Sequence, residues 1–144
     1  MSVKTVLCAV DISNKNRDVG VLKQAARLAA IDDAQLDVIT VVPDFGLSVV
    51  GTYFEPSHHE EAMAKSKELM KELVVEALGA KANDKVRRVV ATGNAYEEIL
   101  KAAKADSADL IVIGAQKPDF TDFLLGPNAA RVVRHSTCSV YVVR

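Results

Sequence analysis

Five short runs of β-branched and aliphatic residues, separated by stretches of helical period, restrict this chain to a small set of folds. They are "VKTVLCAV" (Val3 to Val10), "AQLDVITVV" (Ala34 to Val42), "VRRVVAT" (Val86 to Thr92), "ADLIVIG" (Ala108 to Gly114) and "CSVYVVR" (Cys138 to Arg144). The first, mostly apolar, suits a strand buried on both faces of a sheet, and the second alternates before becoming continuously apolar. Asp11 ends the first run, and Pro43, which cannot donate to a ladder, ends the second.

The intervening stretches read as helices. From Asn16 to Ala30, Val21, Leu22, Ala25, Leu28 and Ala29 fall on one helical face. Ser57 with Glu60 three residues later makes a capping box for a long helix ending at Gly79, with Met63, Leu69, Leu73 and Leu78 on its buried stripe. After a turn at Gly93 and Asn94, "AYEEILKAAKAD" is a third helix, with Ile99, Leu100 and Ala103 inward. Asn128 to His135 is a fourth, with Arg131, Arg134 and His135 towards its C-terminal end, where positive charge is favourable. The loop "PDFGLSVVGTYFEP" after Val42 is longer than most connections, as loops that line a site or a subunit contact often are.

Strands alternating with helices predict a doubly wound α/β domain: a mostly parallel sheet with helices on both faces. In such sheets ligands bind beyond the carboxyl ends of the strands, where strand order reverses. Asp11 and Gly114 would meet there if the first and fourth strands are neighbours, an adjacency the sequence alone does not give.

Composition narrows the function. The 144 residues suit a single domain, 1–144, and 18 Lys plus Arg against 19 Asp plus Glu leave a net charge of -1. That balance lacks the basic footprint of a nucleic-acid binder. The N-terminal stretch lacks the pattern of a secretory leader and no apolar run has membrane-spanning length, so a cytoplasmic protein with no membrane partner is expected. Two cysteines without a CxxC, and no clustered histidines, give no zinc site. Cys8 near the exit of the first strand and Cys138 at the entrance of the fifth belong to opposite ends of a parallel sheet, which disfavours a disulfide within one subunit.

The stretch after the first strand, "DISNKNRD", has neither GxGxxG nor GxxxxGK[ST]. It also lacks the hydroxyl- and glycine-rich phosphate loop of a flavodoxin-type site, and Asp11 stands alone where a phospho-receiver would cluster acids. In "HHEE" (His58 to Glu61) adjacent histidines on a helix diverge, and the capping box accounts for Glu60, so no metal site is assigned. His135 has no Ser or Cys placed beside it as a nucleophile, and no catalytic residue is assigned.

"VDIS", "IDDAQLDVITVVP", "ATGNAYEEILKAAKADSADLIVIGA" and "LLGPNAARVVRHSTCSVYVVR" together resemble the universal stress protein family over essentially the whole chain. The resemblance is nearest to its small single-domain bacterial branch, and the last stretch is the most specific. It implies an adenine-nucleotide-binding fold with strand order 3-2-1-4-5, and a homodimer in which the final strands, here Val140 to Val143, pair antiparallel. Carried over by position, Asp11 would hydrogen-bond the nucleotide, Val41 would contact the adenine, and Gly114, Gln116, Gly126 and Asn128 would surround the ribose and phosphates.

The family's ATP-binding members carry Gly, two residues, Gly, nine residues, then Gly followed by Ser or Thr. Here Gly114, Ala115 and Gln116 are followed by Lys117 in place of the second glycine, then eight residues, Gly126, and Pro127 in place of the hydroxyl residue. Pro127 has no N–H for a phosphate, whereas Lys117 adds a cation and Asn128 a side-chain donor. Simpler readings stand beside these. Asp11 could hold a turn, Val41 could be core, Gly126 to Asn128 could be a tight turn with Asn128 as helix N-cap, and Lys117 could lie on a solvated loop.

The expectation is therefore a stress-response regulatory dimer that binds ATP or a related adenine nucleotide, with or without Mg²⁺, and acts on an unidentified protein partner. The alternatives are a nucleotide-free interaction protein that keeps the fold, and a slow ATPase or self-phosphorylating enzyme.

Overall fold

The computed structural model describes residues 2–12, 15–42, 56–115 and 128–144. Five strands, β1 (Thr5–Ala9), β2 (Gln35–Val42), β3 (Arg87–Thr92), β4 (Leu110–Gly114) and β5 (Ser139–Val143), form one parallel sheet in the order β3-β2-β1-β4-β5. The helices are α1 (Lys15–Ile31), α2 (Pro56–Leu78), α3 (Ala80–Lys85), α4 (Ala95–Ala105) and α5 (Asn128–His135). The doubly wound arrangement and its strand order are those the sequence implied.

Side-chain alternation along the buried strands divides the core into two layers. Val6, Cys8 and Val10 of the first strand segment, Val38 and Val112 pack against Val21, Leu22 and Ala25 of α1 and Met70, Leu73 and Val74 of α2. Leu7, Ala9, Ile39, Val41, Ile111 and Ile113 meet Ala95, Ile99 and Ala103 of α4 and Ala129 and Val132 of α5 on the other face. Each fully buried Leu or Ile among these contributes about 1.5–3 kcal/mol of transfer free energy. Cys8 and Cys138 belong to opposite layers, and both are free thiols.

Three details differ from the sequence reading. Helix α2 starts at Pro56, a residue whose missing N–H costs nothing at the first helical position, so Ser57 lies inside the helix and is not its N-cap. Its buried positions are Ser66, Met70, Leu73 and Val74, while Met63, Leu69 and Leu78 are half-buried. Helix α3 follows Gly79, whose φ of 93° lets the chain turn between the two helices.

The two sheet edges differ in character. On β3, Arg87 and Arg88 are exposed, and the Arg88 guanidinium donates to the backbone carbonyl and side-chain oxygen of Asn83 in α3. On β5 the exposed and half-buried residues run Ser139, Val140, Tyr141, Val142, Val143, without a charge. Among the described residues no helix is long and apolar enough to cross a membrane.

Candidate functional site

Strands β1 and β4 are parallel neighbours, with Ala9 level with Ile113. The chain leaves β1 for α1 and β2 on one side, whereas β4 leads to β5 on the other, so strand order reverses between them. Asp11 lies two residues past the last aligned pair on β1, and Gly114 one residue past it on β4. The adjacency that the sequence left open is thus present, and it puts both residues at the crevice where doubly wound sheets bind ligands.

Asp11 is 1% exposed. The preceding residue, Val10, donates its N–H to the Ile39 carbonyl at 2.9 Å, which fastens the β1 exit to β2. The Asp11 N–H goes elsewhere, to the carboxylate of Asp18 at 2.5 Å. Asp18 sits in the first turn of α1 and is fully buried, so Asp11 does not stand alone as its sequence surroundings suggested. A second acid seven residues on, in the first turn of a predicted helix, was the available signal.

Val41 is 4% exposed and packs with Ile39, Ala95 and Ile99 in the α4–α5 layer. The end of β2 accepts the Gly93 N–H at the Val42 carbonyl, 3.0 Å away, and Ala115 donates to the Val143 carbonyl at 2.7 Å. The strand ends around the crevice are therefore cross-tied by backbone hydrogen bonds. Asn128 is 8% exposed at the first position of α5. Its Oδ1 accepts the Tyr96 N–H at 3.2 Å, so it serves the first turn of α4 and joins the starts of the two helices.

The amino ends of α1, α4 and α5 all lie at this end of the sheet, and their dipoles favour negative charge. One turn into α5, the Arg131 guanidinium rests 5.3 Å from the centre of the Tyr96 ring, and the His135 ring stacks on Tyr96 at 6.1 Å. Gln116, Lys117, Gly126 and Pro127 lie outside the described residues, as do the loop at 43–55 and the side chains of Ser57 and His58.

Cavity size does not pick out this crevice. A space of about 480 Å³ between α1 and the ends of β4 and β5 touches Gly114 and Ala115 but neither Asp11 nor Val41. A larger one, about 740 Å³, lies at the opposite end of the sheet between α1, α2 and α3. The chemistry points to the crevice, because there, among the described residues, a buried carboxylate and several helix starts converge. Among the described residues no three acid, cysteine or histidine side chains group as metal ligands. Burial, and secondarily the charge of Asp18, pushes the Cys8 thiol far above its usual value, which keeps it from acting as a thiolate nucleophile.

The arrangement can bind a polar ligand by hydrogen bonds to Asp11 and to backbone groups, beside an apolar shelf at the end of β2. The model of the "Universal stress protein family" matches residues 2–144. "Universal stress protein G" of Escherichia coli O157:H7 is 25% identical over 147 residues, covering 98% of this chain and 99% of that one. A universal stress protein solved in complex with cAMP superposes with a TM-score of 0.66 at 22% identity, over 100% of this chain and 98% of its own. The universal stress protein from Archaeoglobus fulgidus in complex with dAMP gives 0.68 at 20% identity, over the whole of both chains.

Proposed function

Because the chain belongs to the universal stress protein family, we propose that it binds an adenine nucleotide in the crevice between β1 and β4 and works as a ligand-dependent regulatory dimer in the cytoplasm. The observation that carries this reading is the buried Asp11 at the exit of β1, beside Gly114 at the exit of β4, at the point where strand order reverses. The cAMP and dAMP complexes of structurally similar proteins support the choice of adenine.

In this reading Asp11 accepts a hydrogen bond from the nucleoside and Val41 supplies apolar contact for the base. Gly114, Gln116, Lys117, Gly126, Pro127 and Asn128 border the ribose and phosphates. The Asn128 Oδ1 accepts the Tyr96 N–H, which fixes this side chain at the start of α5 beside the crevice. ATP, with or without Mg²⁺, is one candidate and a monophosphate another; Pro127, which cannot donate to a phosphate, favours ligands that depend little on the terminal phosphates. The uncharged β5 edge, in contrast to the arginine-bearing β3 edge, supports pairing of two copies through Val140 to Val143.

Mass action tests the reading, because a ligand that binds only the folded state stabilises it by about 2.7 kcal/mol at one hundred times its dissociation constant. The melting temperature of nucleotide-stripped protein should rise with millimolar ATP, ADP or AMP, less with GTP, and not at all in Asp11→Ala. A second reading, a nucleotide-free interaction protein, draws on Lys117 and Pro127 in the glycine loop and gives no rise with any nucleotide.

A further inference from the structure

Asp18 occupies a position where its helix otherwise buries hydrocarbon. Val21, Leu22, Ala25 and Ala29 form the core stripe of α1, and Asp18 is the next residue on that stripe towards the helix start, with 0% exposure. Burying a carboxylate costs several kcal/mol unless hydrogen bonds and favourable dipoles compensate it. Such compensation is present: Asp18 lies in the first turn of a 17-residue helix, and its Oδ2 accepts the backbone N–H of Asp11. The charge is directed at the turn after β1, the one segment that delivers Asp11 to the crevice.

An apolar residue at position 18 would pack against Val10 and Val21 without that cost, but it would leave the Asp11 N–H buried and unsatisfied. The stripe thus gives up hydrocarbon burial at a position whose carboxylate holds the Asp11 peptide group. The neighbouring Cys8 thiol, whose ionisation burial and the Asp18 charge both oppose, agrees with a carboxylate directed at β1 from this helix.

We infer that Asp18 is a positioning residue: it holds the Asp11 peptide through a carboxylate to N–H hydrogen bond and thereby sets the direction in which the Asp11 side chain meets a ligand in the β1–β4 crevice. The inference rests on the nucleotide reading for its consequence, though the hydrogen bond itself does not.

The test uses the full chain, isotope-labelled, with AMP as the probe. In the unmodified protein a scalar coupling between the Asp11 amide nitrogen and the Asp18 carboxylate carbon is expected, and its absence overturns the clamp without any variant. In Asp18→Ala the Asp11 amide should exchange at least tenfold faster while the amides of Val6 to Ala9 keep their protection, and AMP should bind at least tenfold more weakly. Asp18→Asn, which keeps a carbonyl acceptor, should recover most of that affinity. An unchanged Asp11 amide in Asp18→Ala, or a freed amide with unchanged AMP affinity, overturns the positioning role. If the unmodified protein binds no AMP while the coupling is present, the nucleotide reading fails and the clamp stands.

Discussion

Arg87 at the start of β3 forks onto Asp37 of β2, Nε to Oδ1 at 3.1 Å and Nη2 to Oδ2 at 2.8 Å, at the end of the sheet opposite Asp11. The Asp37 side chain has no exposure, whereas that of Arg87 is 55% exposed. Removing the arginine strands a buried carboxylate, but removing the carboxylate leaves a guanidinium that water can solvate. Arg87→Leu should therefore lower the urea midpoint more than Asp37→Leu does, and the double substitution should recover part of the loss. Equal losses from the two single variants would contradict this asymmetry.

Two other acids at that end of the sheet give pH dependences of opposite sign. The Asp109 carboxylate accepts the Lys4 and Thr5 N–H groups at 2.8 and 3.1 Å, and these bonds hold it below the ordinary carboxylate value. A depressed folded value means stability that is present above about pH 4 and lost as pH falls through the folded value. The Asp106 carboxyl is pushed up, chiefly by burial and then by hydrogen bonding to and the charge of Asp37, with Arg87 opposing. Its contribution is present below about pH 4 and is lost as pH rises through the folded value. In urea titrations from about pH 3 to 7, Asp109→Asn should be destabilised at neutral pH and Asp106→Asn stabilised, both differences shrinking towards the acid end.

Gly20 lies within α1, and a Cβ there would meet nothing within 4 Å. Its backbone entropy in the unfolded chain is thus lost on folding without any packing need for a glycine. Gly20→Ala should stabilise the fold by about 0.5–1 kcal/mol, read as a rise in melting temperature. No change, or a fall, would mean that this helix turn requires glycine for another reason.

The β5 edge makes a prediction about assembly. Tyr141 is 41% exposed on that strand, and antiparallel pairing of two copies through Val140 to Val143 brings the residues near 141 opposite one another. In the proposed dimer, Tyr141→Lys should place like charges across the junction and weaken association at least tenfold in sedimentation equilibrium. A dimer of unchanged affinity would move the interface elsewhere on the molecule.

The five strands, four of the helices and their order were legible because each strand is a short run rich in β-branched and aliphatic residues and each long helix has a regular stripe. Helix α3 was not, since "AKANDK" has six residues, no apolar period, and depends on the turn at Gly79. The placement of Asp11 and Gly114 side by side was legible up to the pairing of β1 with β4, because each follows the end of an apolar run. Asp18 was missed because its partner is a backbone N–H seven residues earlier, a pairing fixed only when α1 folds back over β1. The hydrogen bond from the Tyr96 N–H of α4 to the Asn128 oxygen, 32 residues apart in sequence, was not legible, because it depends on how α4 and α5 pack.

The central claim is that an adenine nucleotide enters the crevice between β1 and β4, and amide shift mapping during an ATP titration tests it most directly. The largest perturbations are predicted at Asp11, Val41, Gly114, Ala115 and Asn128, and they should vanish in Asp11→Ala. Shifts absent throughout, or gathered instead around Ala29, Leu36 and Ala82 beside the cavity at the other end of the sheet, would contradict it.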